Sequence, residues 1–179
     1  MRHARALERA GRAEEALALW VEVAEQEPQL SQEARAAALA LAQRALTERP
    51  ERAAEWAERL LSIDPTDSAA LAAVASHRGA AELSPLLSQH ERRLPREDMA
   101  QLCLAAAQHL PDEPHLVEVR QLLLRWALAR APLPGGFLLL AHLEPTAVQK
   151  RALLQEGLTH HPGSRELVLM MMALQPAAA

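Results

Sequence analysis

Apolar residues recur every three to four positions along most of this chain, and prolines interrupt the recurrence at intervals. The stretch 7–28, LERAGRAEEALALWVEVAEQEP, shows the pattern most clearly. A short helix ends at Gly11, a second opens at once, and that second helix stops at Pro28. Within it Ala16, Trp20, Val23 and Ala24 fall on one stripe at helical spacing. Gly11 sits where the chain reverses, a turn that often needs a positive φ, which glycine tolerates. A helical hairpin of this size cannot bury its own apolar face, so it needs further hairpins beside it.

The later prolines supply a register for them. Pro28, Pro65, Pro95, Pro132 and Pro162 are separated by 37, 30, 37 and 30 residues, so every second one is 67 apart. Proline ends one helix or starts the next, and these five divide the chain into hairpins at 1–28, 29–65, 66–95, 96–132 and 133–162, followed by a terminal helix over 163–175. The two 30-residue segments align without gaps, Leu71 on Leu138 and Leu86-Leu87 on Leu153-Leu154. The expected helices are 2–10, 13–26, 31–47, 51–62, 67–77, 80–93, 96–109, 115–130, 136–143, 146–160 and 164–174. Pro85 leaves two alternatives: Ser84-Pro85 as an N-cap and first helical residue, or a helix from Ala80 with a kink. Ser164 reads as the N-cap of the last helix.

The residues of the first hairpin resemble the tetratricopeptide repeat, a helix pair of about 34 residues. Ala4 and Leu7 match the small and bulky positions of the family's first helix, and Gly11 its turn glycine. Ala16 and Trp20 match the small and aromatic positions of the second helix, Pro28 matches the closing proline, and Val23 stands where the family prefers alanine. The resemblance implies an all-α fold, a right-handed superhelix (solenoid) of about five such hairpins plus a terminal helix, forming a single array over 1–179. It further implies that the first helices of successive hairpins line a concave groove that receives a peptide or helix of a partner protein.

Composition agrees with the helical reading. Alanine and leucine dominate, with 6 Gly, no Tyr and one Phe, so strand-favouring residues are sparse. The net charge of −4 is spread evenly, without the basic stripe or stacking aromatics that nucleic-acid binding would use. No apolar run is long enough to cross a bilayer, the longest being Leu167–Leu174, and MRHARALERA is not a signal peptide. The array reads as part of a longer one. The single cysteine, Cys103 in QLCLAAA, excludes an intrachain disulfide and reads as a buried, inert thiol.

Candidate chemistry is thin. Among the eight histidines no pair has chelating helical spacing, and adjacent His160-His161 point about 100° apart on a helix. His90, His109 and His160 stand near helix C-termini, where the dipole favours an imidazolium. Glu14-Glu15, Glu97-Asp98 and Asp112-Glu113 stand at helix starts, where the same dipole favours carboxylates. No phosphate loop, GxSxG or HExxH motif occurs, so the expected protein is no enzyme and has no metal or other cofactor. Trp20, Trp56 and Trp126 on second helices read as gap fillers between hairpins.

What remains is surface. By position the first helices present Arg5, Arg9, Gln32, Arg35, Gln43, His109 and His142 to the groove. Arg5, Arg9 and Arg35 form either a cationic patch for acidic side chains or a C-terminal carboxylate, or solvated arginines paired with nearby glutamates. The carboxylate clamp of chaperone-binding relatives is not present in recognisable form. The final helix, SRELVLMMMA, is apolar nearly all round, so Leu169 and Met172 are expected to meet a further repeat or a second copy. Two functions follow. The first is a non-catalytic scaffold for a protein partner. Eighteen arginines to one lysine suggest a GC-rich bacterial genome. The alanine-rich array is similar to the periplasmic repeats of exopolysaccharide-export outer-membrane proteins of Pel or cellulose type, which recruit polysaccharide-modifying enzymes. The second is a ligand-sensing or regulatory helical domain of a larger bacterial regulator, cytoplasmic rather than periplasmic, which needs a pocket with converging polar groups.

Overall fold

Small residues and helix stops set the architecture. A computed structural model describes residues 2–26, 31–48 and 52–174, with a few side chains inside helices also left out, those of Arg35 and Gln43 among them. Among the described residues all regular secondary structure is helical, and there is no strand. The helices are α1 (Arg2–Arg9), α2 (Ala13–Gln26), α3 (Ser31–Glu48), α4 (Ala53–Ile63), α5 (Ser68–Glu91), α6 (Arg96–His109), α7 (Val117–Leu128), α8 (Pro134–Leu143), α9 (Ala147–His160) and α10 (Arg165–Ala173). Two compact units divide the chain, Met1–His77 and Arg78–Ala179. The division falls at the turn inside the third expected hairpin and not at one of the five spacing prolines.

In the first unit α1 packs on α2, α2 on α3 and α3 on α4. The α1–α2 turn is a Schellman motif: Gly11 takes φ 74°, its N–H donates to Glu8 O, and Arg12 N–H donates to Leu7 O, both at 3.0 Å. That turn brings Ala4 and Leu7 of α1 against the Ala16, Leu17 and Trp20 face of α2, and all five are buried. Ala34, Ala38 and Ala42 of α3 and Ala53 and Ala57 of α4 are buried too. Their single methyl groups allow close helix approach beside the large Trp20 and Trp56, as core packing at native density requires. Asp64 and Asp67 stop one helix and start the next. Asp64 Oδ1 accepts from Thr66 N and Oγ1, and Asp67 Oδ1 accepts from Ala70 N as an N-cap.

α5 settles the Pro85 alternatives. Its one non-helical residue is Gly79, at φ 73° and ψ 176°, and the arm over 80–91 stays helical on both sides of Pro85. The proline removes the bond to the carbonyl of Ala81. Both residues are exposed, so water can reach that carbonyl. The helix expected over 115–130 opens as a 3₁₀ turn, Pro114–Leu116, before becoming α7. Proline suits such a first turn because its fixed φ matches and its missing donor has no partner to lose there.

In the second unit α6 packs on α7, α7 on α8, α8 on α9, and α10 on both α8 and α9. Its core includes Leu83, Leu87, Met99, Leu123, Leu124 and Phe137. Thr146 caps α9 by accepting from Gln149 N, and Ser164 caps α10, as its sequence position implies, by accepting from Leu167 N. Two glycines bring α8 against both neighbours. A Cβ on Gly136 would stand 2.9 Å from Leu128 Cδ2, and one on Gly157 would stand 2.9 Å from Phe137 Cγ and 3.1 Å from its Cβ. Phe137 is buried and held at its base, so the ring cannot swing clear. Gly157→Ala is expected to lose up to about 2 kcal/mol, overpacking of about 1–3 outweighing a helix-propensity gain of about 1. Urea unfolding checks this against Gly163→Ala, where an added Cβ meets nothing within 4 Å and the change should be near neutral.

Candidate functional site

The expected groove residues divide between the two units. Arg5 and Arg9 lie one turn apart on the exposed face of α1 and line a groove of about 510 Å³ together with Glu8, Trp20 and Ala37. Three helices build it: α1 supplies the charged wall, α2 the indole and α3 the small residue opposite. Trp20 is 1 % exposed and its Nε1–H donates to a Glu8 carboxylate oxygen. The indole is therefore part of the wall, packed between the first two hairpins as its spacing implies, and has no face free for stacking a ligand.

Arg5 and Arg9 are in different electrostatic situations. Arg5 Nη2 donates to Glu33 Oε1 of α3 at 2.7 Å, an exposed pair worth at most about 1 kcal/mol. Arg9 Nε donates only to Arg5 O at 3.3 Å and has no carboxylate partner among the described residues. The glutamate-paired reading thus holds for Arg5, while Arg9 keeps its charge for another group. Gln32 is exposed beside Glu33. Arg35 and Gln43 are on α3, but their side chains lie outside the described residues. On the side of α2 and α4, Arg52 donates to Glu14 and, at 2.8 Å, to both Glu55 oxygens, which hold its guanidinium more firmly protonated than usual.

His109 and His142 belong to the second unit and take no part in this groove. Both are exposed, at the end of α6 and on α8, and His142 Nδ1 faces Leu138 O at 3.1 Å. His90 departs from the expectation of a dipole-favoured imidazolium. It is 6 % exposed at the end of α5, and burial first, then the charge of Arg93, lower its pKa below the ordinary value. Desolvation outweighs the helix dipole there. A depressed histidine pKa means that the unfolded chain binds a proton at a pH where the folded one does not. The contribution of His90 to stability is therefore full above pH about 6.5 and is lost as pH falls from there towards the folded-state pKa. Urea unfolding at pH 7.5 and 5.5 should show the wild type losing more stability on acidification than His90→Leu.

Near His90, Arg130 lies 3.8 Å over the Trp126 ring, and its Nη2 donates to Glu91 at 2.6 Å. Trp126 is half-buried with one face roofed by this cation, and Trp56 is 1 % exposed, so its indole has no open face. Cys103 is buried, its thiol pushed up to about 12 by desolvation, with the Arg130 charge opposing. Among the described residues no group of three His, Cys, Asp or Glu side chains is placed to hold a metal ion. On α10, Leu167 is buried against Phe137, Ala141 and Leu154, while Leu169 and Met172 are 54 % and 60 % exposed. The helix is thus covered on one side.

The structure adds a second concavity that the sequence reading does not contain. A groove of about 440 Å³ runs between α7 and α9 with α8 as its floor. Leu128, Phe137, Leu140 and Leu153 give it an apolar base, and Arg125, Glu144, Gln149 and Glu156 give it polar ends. Its residues come from three helices, and no local motif joins them. The one sequence signal is glycine inside helical stretches, at Gly136 and Gly157, where such a residue marks close packing. No protein-family model, curated protein or solved structure matches this chain.

Proposed function

We propose that this protein is a non-catalytic scaffold, a right-handed solenoid of tetratricopeptide-type hairpins whose α1–α3 groove receives an acidic segment of a partner protein. The observation that carries the reading is the guanidinium of Arg9, without a carboxylate partner among the described residues, beside the Glu33-paired Arg5 on a concavity formed by successive helices. Guanidinium–carboxylate pairing is directional and favours such a partner. The partner is an enzyme domain or peptide, and bacterial polysaccharide export is the setting that fits the arginine-rich, alanine-rich composition.

The test uses a fluorescein-labelled peptide rich in Asp and Glu with a free C-terminus, its amidated form, and a Lys-rich control. Fluorescence anisotropy should rise with the acidic peptides, fall steeply with added salt, and weaken about tenfold in Arg9→Glu, a charge reversal at an exposed contact. Equal binding of the Lys-rich control, or no effect of Arg9→Glu, would remove the α1–α3 groove as the partner site.

A further inference from the structure

The α7–α8–α9 groove has the shape and charge of a site for a protein helix, and we infer that it docks a basic amphipathic helix of a partner protein. The inference rests on the second unit alone and is independent of Arg5 and Arg9. Along α9 the groove-lining residues are Gln149, Ala152, Leu153 and Glu156, spaced i, i+3, i+4, i+7. Seven residues of helix span about 10 Å, two turns, so the groove matches the length over which one helix presents two successive apolar side chains.

The two ends differ from the middle in charge. At one end Glu144, 8 % exposed, accepts from Arg125 Nη2 at 3.3 Å through Oε1. Its Oε2 accepts no hydrogen bond among the described residues. At the other end, beside Gly157 and the base of Phe137, Glu156 is exposed and has no hydrogen bond or ion pair among the described residues. Two carboxylates against one arginine leave the groove with a net negative charge around an apolar floor. The complement is a helix with Leu, Met or Phe on one face and Lys or Arg about two turns apart beside them. The exposed mouth residues Gln149, Ala152 and Glu156 leave the groove open along its length. An open trough of this kind suits a helix better than a small molecule, whose sites enclose most of the ligand surface.

The test titrates the ¹⁵N-labelled full chain with a Leu/Lys amphipathic peptide of about four turns. Controls are the same peptide with Lys replaced by Glu, and hexylamine. Amide signals over 125–129, 137–144 and 149–156 should shift with the Leu/Lys peptide and not with the Leu/Glu one. Glu156→Lys should weaken binding about five- to tenfold, a reversed exposed charge pair. Ala152→Arg, which places bulk and charge in the mouth, should abolish the shifts. Both substitutions are at exposed positions, and unchanged circular dichroism reports that the fold is kept. Shifts centred elsewhere, equal binding of the Leu/Glu peptide, or insensitivity to both substitutions would overturn the inference. Saturable shifts with hexylamine but none with the peptide would overturn it in favour of a small-ligand pocket. Failure of acidic peptides to bind at Arg9 leaves this result untouched, because the probes and residues are different.

Discussion

Trp20→Ala should cost about 3–5 kcal/mol, the range for removing a large buried aromatic and leaving a cavity. The indole is 1 % exposed and stands between α1, α2 and α3, where Ala16, Ala34 and Ala38 offer no side chain long enough to fill the space. The loss includes the Nε1–H bond to Glu8, a charge-assisted contact that ties α2 to α1. Trp20→Phe keeps most of the apolar volume and drops that bond, so it should fall between wild type and Trp20→Ala. Urea unfolding followed by circular dichroism measures both variants. A loss below about 1 kcal/mol for Trp20→Ala, the scale of a surface substitution, would mean that the side chain is not buried in solution.

Cys103 should react with a disulfide reagent about a thousandfold more slowly in the folded protein than in urea at pH 8. Moving a thiol from 9.0 to about 12 removes the thiolate, the reactive form, by that factor. Steric exclusion adds to this, because Cys103 is 0 % exposed on the buried face of α6. What reaction remains passes through opening of the helix, so its rate also measures the free energy of that opening. Labelling of the native protein at a rate near that of the unfolded chain would show that the α6–α7 layer is not closed.

Helices were legible in the sequence wherever a local signal sufficed. Gly11 had to adopt positive φ, Ser164 had the hydroxyl for a cap, and the alternation of alanine with tryptophan marked the buried face of α2. Pro85 was ambiguous because capping at Ser84 and helix continuation from Ala80 differ only in what surrounds the proline, which tertiary structure decides. His90 was misread because its position at a helix end is local information and its burial is not. The α7–α9 groove was invisible for a stronger reason. Arg125, Glu144 and Glu156 line one groove only because α8 approaches both neighbours at glycine, and chain spacing carries no record of which helices touch.

The two glycines that draw α8 against its neighbours have a consequence for how this region comes apart. Glycine in a helix interior costs about 1 kcal/mol relative to alanine, and helices shorter than about 12–15 residues are marginal by themselves. α8, from Pro134 to Leu143, and α10, from Arg165 to Ala173, are below that length, and α9 carries Gly157 in its interior. None of the three has much reason to stay helical once undocked. Phe137, Ala141, Leu154 and Leu167, from all three helices, share one buried cluster, so losing one helix strips the others of their cover. Amide hydrogens of α8, α9 and α10 should therefore exchange with a common opening free energy, as one cooperative block, and helix-by-helix fraying from the C-terminal side should be absent.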